Sequence, residues 1–139
     1  MTDCALCEIP SREEEQGRII HDTGLVYSIM NFEPLHQGHV MVIPRRHARL
    51  GSLTHAENYE FSLELLHLTN RLLELYPSEP PITWSVSDTP HASIPGHFHY
   101  HIAPSAAGMR DLMAGYYPKV SFRQRAHLEY LEQMAVRLR

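Results

Sequence analysis

An α+β domain on an antiparallel sheet is the fold class this sequence predicts, and three observations carry it. The predicted elements run β-β-β-α-β-β-α, with strands in adjacent pairs and no regular βαβ alternation. The segment His97–Ala103 alternates with the period of two that belongs to a strand. Thr54 to Tyr76 carries the longer period of an amphipathic helix between the two groups of strands. With 139 residues the chain has room for one core, so residues 1–139 are read as a single domain.

Each element has its own warrant. Residues 8–17 are polar, contain Pro10 and Gly17, and read as a loop with a short helical turn. Arg18–Asp22 and Leu25–Asn31 are strand-like, and Thr23-Gly24 between them makes a hairpin turn. Glu33–Gly38 is a second loop, and His39–Pro44 is a buried strand rich in β-branched and apolar residues. The main helix opens with a capping-box pattern, Thr54 and Glu57. Phe61, Leu65, Leu68, Leu72 and Leu75 form its apolar face, and Pro77 with Pro80-Pro81 ends it. Ile82–Asp88 and His97–Ala103 are strands, with a loop from Pro104 to Gly115. Ser121–Arg139 is a C-terminal helix with Leu128, Leu131, Ala135 and Leu138 on one face.

Composition narrows the function. The apolar fraction is 43% and the charged fraction 20%, which excludes a disordered or collagenous chain. A formal charge of −4 argues against a nucleic-acid binder, which is normally basic. The acids cluster in residues 1–24 and the bases in 119–139, which reads as two solvated surfaces. No apolar run is long enough to span a bilayer, and the first residues lack the basic-then-apolar pattern of a secretory signal. The expectation is a cytoplasmic protein with no membrane or nucleic-acid partner. The two cysteines, Cys4 and Cys7, then sit in a reducing compartment where a structural disulfide does not persist.

The chain has 11 histidines against four phenylalanines and one tryptophan. Three of them, His97, His99 and His101, share one face of a strand whose other face is Phe98, Tyr100 and Ile102. Such a row is costly without a purpose, because crowded imidazoles repel when charged and need partners when buried neutral. A three-histidine metal site, a histidine nucleophile with helpers, or a mixture would each use it. Same-face neighbours lie about 7 Å apart at a rise of ~3.3 Å per residue, which suits convergence on one metal poorly. Mixed roles fit better.

The alternation His97-Phe98-His99-Tyr100-His101-Ile102-Ala103 resembles the signature of the histidine-triad (HIT) superfamily of nucleotide hydrolases and transferases. The segment from Asn31 through Pro34, Gly38-His39 and Val40–Pro44 to His47 is similar to that family's P-x-x-x-G-H-x-L-V-I-P-K-x-H strand. Ser93-Ile94-Pro95 resembles its Q-S-V-P, and Cys4-x-x-Cys7 opens the chain as in many bacterial members. The likeness runs in order from Cys4 to Pro104.

The resemblance implies an antiparallel HIT-like sheet of about five strands with a main and a C-terminal helix. It implies that His99 attacks the α-phosphorus of a nucleotide conjugate, a nucleoside phosphoramidate or a dinucleoside polyphosphate. The product would be a nucleotidyl-histidine, resolved by water or another acceptor. One ring nitrogen must attack while a backbone carbonyl holds the N–H of the other. It casts His101 as the group that binds the phosphate and protonates the leaving group. On the substrate side it places Asn31 at the ribose hydroxyls, Ser93 as a hydroxyl in the phosphate loop, and His39 behind the catalytic strand, orienting the site. Asn31 also reads as a turn cap. In zinc-containing members the ligands correspond to Cys4, Cys7, His47 and His97, which implies one structural zinc per chain in a closed tetrahedral site. Relatives are commonly homodimers. The family's N-x-G-x-x-x-G-Q-S stretch is altered here: Ala92 stands where the glutamine falls, and Gly96 is a one-residue insertion. The alternative is a nucleotide-binding or interaction module without catalysis.

Overall fold

The computed structural model describes residues 4–90, 92, 94–105 and 125–139. Ser93, most of the loop expected after Pro104, and residues 121–124 of the expected C-terminal helix lie outside the described residues. Five strands form one sheet: β1 (Ile19–Asp22), β2 (Val26–Met30), β3 (Val40–Pro44), β4 (Pro81–Trp84) and β5 (Tyr100–Pro104). Their order across the sheet is β1-β2-β3-β5-β4, and every neighbouring pair is antiparallel. The helices are α1 (Ala5–Glu8), α2 (His55–Leu75) and α3 (Leu128–Leu138). None of the described helices is long and apolar enough to cross a membrane.

Strand alternation sorts the side chains into two layers. Val26, Met30, Val40, Val42 and Ile102 face α2 and α3 and pack with Phe61, Leu68, Leu72, Leu131, Ala135 and Leu138. Tyr27, Ile29, Met41 and Ile43 face the other way and are covered by Cys4, Leu6 and Ile9 from the N-terminal turns. The Tyr27 hydroxyl donates to the Leu6 carbonyl at 2.6 Å and fastens that cover; burial pushes this phenol up from its ordinary value. Met41 pairs directly with His101, so the histidine face of β5 lies on the side of the N-terminal cover, away from the helices.

The capping box at α2 is formed as the sequence predicts. Thr54 Oγ1 accepts from the Glu57 N–H at 3.1 Å, and Glu57 Oε1 accepts from the Thr54 N–H at 2.8 Å. The Glu57 carboxylate also accepts from Arg46 at 2.8 and 3.1 Å, tying the end of β3 to the start of the helix. That guanidinium, with help from the Thr54 backbone and against the cost of burial, holds the carboxyl at about 2, well below its ordinary 4.5. Buried Glu64 serves a second tie: it accepts from His21 Nδ1 at 2.8 Å and from Ser28 Oγ, joining α2 to β1 and β2.

Several boundaries differ from the sequence reading. The loop over residues 8–17 contains two 3-10 turns, Ile9–Ser11 and Glu13–Arg18. The strand expected over Ile82–Asp88 stops at Trp84, and the one expected from His97 begins its ladder at Tyr100. Between them, serine hydroxyls take the backbone groups a ladder would have paired. The C-terminal helix is described from Leu128, and residues 125–127 just before it are not helical: His127 has ψ 137 and the Ala126 N–H donates to the Phe32 carbonyl at 2.8 Å. Leu128 is exposed on that helix, and Met134 takes its expected place in the core.

Candidate active site and metal-ligand cluster

Two groups of side chains meet along the lead-in to β5. Phe98 anchors that lead-in: its side chain is buried with Phe61, and its N–H donates to the Ala48 carbonyl at 2.8 Å. The alternation therefore persists ahead of the ladder, and His97, His99 and His101 are all buried on one side.

Hydrogen-bond partners fix the protons on these rings. His99 Nδ1 lies 2.8 Å from the His97 carbonyl, an acceptor only, so Nδ1 carries the proton and Nε2 keeps its lone pair. Burial pushes the His99 ring below the ordinary histidine range, opposed by that carbonyl and by the charge of Asp88. His101 is set the opposite way. The Leu35 N–H donates to His39 Nδ1 at 3.1 Å, which puts the His39 proton on Nε2. That proton points at His101 Nδ1, 2.9 Å away. In its neutral form His101 therefore carries its proton on Nε2. His99 and His101 stand edge to face with centroids 5.3 Å apart. A lone pair and an N–H are thereby presented by adjacent rings.

His39 is fully buried, so its influence on a substrate passes through His101. It sits just before β3 and just after Gly38, whose φ of +79 turns the chain into the strand. Trp84, the last residue of β4, lies flat against His101 with centroids 4.9 Å apart and 7° between planes. The sequence reading missed this residue; its only signal was being the sole tryptophan. It also missed Ser85 and Ser87, whose hydroxyls lie 2.8 and 3.0 Å from the His99 carbonyl oxygen. Asn31 closes an Asx turn, its Oδ1 accepting from the Glu33 N–H at 2.8 Å. Next to it, Phe32 packs under the guanidiniums of Arg18 and Arg125, at 5.3 and 4.9 Å.

The second group is Cys4, Cys7, His47 and His97, whose ligand atoms all lie within 4.8 Å of one another. His97 Nε2 donates to the Pro44 carbonyl at 2.7 Å, which leaves the Nδ1 lone pair aimed at the sulfurs. That Nδ1 is 3.3 Å from Cys4 Sγ and 3.4 Å from Cys7 Sγ, and His47 Nδ1 is 3.4 Å from Cys7 Sγ. In a tetrahedral zinc site, bonds of about 2.3 Å to sulfur and about 2.0–2.1 Å to nitrogen separate the two ligand atoms by about 3.5 Å. The residues fit a zinc ion in donor type, number and spacing. Burial also holds the His97 ring below its ordinary range, with the Pro44 carbonyl opposing, and the neutral ring is the form that ligates. The His97 imidazole faces this cluster while its carbonyl holds His99, so one residue belongs to both groups.

No family model matches the sequence. Among curated proteins, the chain is 30% identical over 107 residues to an AP-4-A phosphorylase of Mycobacterium tuberculosis, across 73% of this chain and 53% of the relative. It is 29% identical over 91 residues to a bis(5'-adenosyl)-triphosphatase of Saccharomyces cerevisiae, across 63% of this chain and 43% of the relative. The chain thus spans about half the length of the curated relatives it matches. Among solved structures, a Hit-like protein from Bartonella henselae matches with a TM-score of 0.73 at 16% identity, over 99% of this chain and 95% of that one. A zinc-bound histidine triad family protein from Mycobacterium smegmatis matches with a TM-score of 0.69 at 20% identity, over 98% and 93%.

Proposed function

We propose that this chain, a member of the histidine-triad superfamily, is an enzyme that cleaves a nucleotide conjugate at its α-phosphorus through a nucleotidyl-histidine on His99. The substrate class is a dinucleoside polyphosphate or nucleoside phosphoramidate. The observation that carries the reading is the opposed proton placement on two neighbouring rings: a lone pair at His99 Nε2 and an N–H at His101 Nε2. The names of the curated relatives, which act on adenosine polyphosphates, support it.

In the first step the His99 Nε2 lone pair forms a bond to the α-phosphorus, and the bond from phosphorus to the leaving group breaks. The leaving group departs with the electron pair, the His101 Nε2–H donating a hydrogen bond to it as its charge develops, and any proton it needs comes from water. The positive charge that develops on the His99 ring is spread toward the His97 carbonyl through Nδ1–H. The bond from His39 to the other ring nitrogen of His101, Nδ1, holds its Nε2–H toward the site. Water, or phosphate in a phosphorolytic reaction, then attacks the phosphorus and returns His99 to its starting form. Asn31, held by its turn bond, is assigned to the ribose and Ser93 to the phosphate, both on the resemblance. Zinc, where bound by Cys4, Cys7, His47 and His97, supplies a fixed charge and cross-link outside the reacting atoms.

The reading extends to one zinc per chain and to a homodimer. Exposed Tyr59, Leu63, Leu66 and Leu73, at helical spacing along α2, support an apolar interface there. The test is turnover of a panel of adenylate and guanylate phosphoramidates and dinucleoside polyphosphates, with rapid quenching to trap label on the protein. Wild type should label at His99, and His99→Ala should lose activity by several orders of magnitude while remaining folded. Retention of more than about a tenth of activity would remove His99 from the mechanism, and nucleotide binding without turnover in wild type would favour the non-catalytic module.

A further inference from the structure

The ladder that holds β5 stops one residue short of His99. Its pairing with β4 ends at Trp84 and His101, and its pairing with β3 ends at Val42 and Tyr100. Two hydroxyls hold the His99 backbone instead. The His99 N–H donates to Ser87 Oγ at 2.9 Å. The His99 carbonyl oxygen lies 2.8 Å from Ser85 Oγ and 3.0 Å from Ser87 Oγ, and the two Oγ atoms are 2.6 Å apart.

Each hydroxyl has one proton to give, and one assignment runs through the three shortest contacts. The His99 N–H donates to Ser87, Ser87 donates to Ser85, and Ser85 donates to the His99 carbonyl. The result is a closed ring of hydrogen bonds that begins and ends on one residue, with every donor pointing the same way round. Bonds in such a chain polarise and strengthen one another. Ser87 is 1% exposed, so water is a poor substitute for its oxygen.

We infer that Ser87 is a positioning residue for His99, with Ser85 as its auxiliary: the pair sets the peptide that carries the attacking imidazole. The inference rests on the reading of His99 as nucleophile. The side chain of His99 is tethered to the same stretch of backbone through Nδ1 and the His97 carbonyl, so a shift of the peptide moves Nε2 with it. Displacement of an attacking atom by about 1 Å can cost about a hundredfold in rate.

The ring also predicts an asymmetry. Without the Ser85 hydroxyl, Ser87 can turn its proton to the His99 carbonyl directly, at 3.0 Å. Without the Ser87 hydroxyl, the buried His99 N–H loses its acceptor, and nothing Ser85 does replaces it.

The experiment compares Ser87→Ala, Ser85→Ala and Ser87→Thr with wild type. It measures single-turnover labelling of His99, steady-state kcat and KM, adenylate binding, and the 15N shifts of the His99 imidazole. Ser87→Ala should lower labelling and kcat by about 10–100-fold with KM and adenylate affinity within about threefold. Ser85→Ala should cost about threefold or less, and Ser87→Thr, which keeps the hydroxyl, should recover most of the loss. The nitrogen shifts should report protonated Nδ1 in wild type and a tautomer mixture in Ser87→Ala. Equal losses for the two alanine variants would overturn the inference. So would a kcat of Ser87→Ala within about twofold of wild type, or a loss shared equally by binding and rate that Ser87→Thr leaves unrepaired. If wild type turns over no nucleotide, the functional reading fails, while an unchanged single tautomer in Ser87→Ala would separately overturn the positioning role.

Discussion

Replacing Gly38 by alanine probes the corner that delivers His39 to its partner. Two costs add at this position. The backbone has φ +79, a conformation that costs an L-residue about 1–2 kcal/mol. A Cβ there would lie 3.0 Å from Leu72 Cδ2, 3.0 Å from Tyr76 Cε2 and 3.3 Å from Pro104 Cγ. Leu72 is fully buried in the core, so the contact is not relieved by swinging a side chain into solvent. Overpacking of this kind costs about 1–3 kcal/mol. Alanine also reduces the entropy of the unfolded chain, which offsets about 0.4–1 kcal/mol. The net expectation is a loss of about 1–5 kcal/mol. Gly24 supplies the control: its φ is +91, but a Cβ there meets nothing within 4 Å. Gly24→Ala should therefore lose only about 0–1.6 kcal/mol, the backbone cost less the entropy gain. Urea unfolding of both variants at fixed zinc concentration measures the difference, which isolates the packing cost. Equal losses, within about 0.5 kcal/mol, would refute the claim that the corner is packed against α2.

Three further outcomes follow from the ties around the site. Glu57→Gln should lose about 1–2 kcal/mol at neutral pH, at the lower end because Arg46 is half exposed. The folded carboxyl sits at about 2 and its ordinary value is 4.5, so its contribution is complete above pH 4.5 and fades as pH falls toward 2. The gap between wild type and variant in thermal melts should close over that window; a gap of constant size would break the link to Arg46. Cys7→Ser should lose bound zinc, from about one per chain to near zero by elemental analysis, and should melt lower than wild type. Metal-free wild type with both thiols freely titratable would show the cluster to be unused. His39→Phe removes the donor to His101 Nδ1 and the acceptor of the Leu35 N–H, and should lower stability by about 1–3 kcal/mol. A stability unchanged in urea unfolding would contradict the assigned bonds.

The local features were the readable ones. The Thr54–Glu57 box, the Phe61-Leu68-Leu72 stripe and the alternation through His97, His99 and His101 are each written within a few residues, and each is in place. The resemblance supplied the four-residue cluster, which joins positions up to 93 residues apart and which spacing alone does not reveal. What escaped was decided by tertiary neighbours. Ser85–Ser87 reads as strand because serine and valine tolerate one, but there the hydroxyls compete with the ladder for the His99 peptide. Trp84 reads only as one position of the expected strand Ile82–Asp88 and becomes part of the site because β4 pairs it opposite His101. His39 reaches His101 across 62 residues, through the pairing of β3 with β5.

The stacked pair at the end of β4 has a practical meaning. The chain contains one tryptophan, and that indole lies parallel to the ring of His101 at 4.9 Å. Indole emission responds to the polarity of whatever lies against its face. A single indole thus reports on the His39–His101 pair it touches, with no second tryptophan to dilute the signal. Arrival of a phosphate group beside His101 changes the surroundings of Trp84 directly. The molecule carries its own optical indicator, fast enough for stopped-flow work and free of any label.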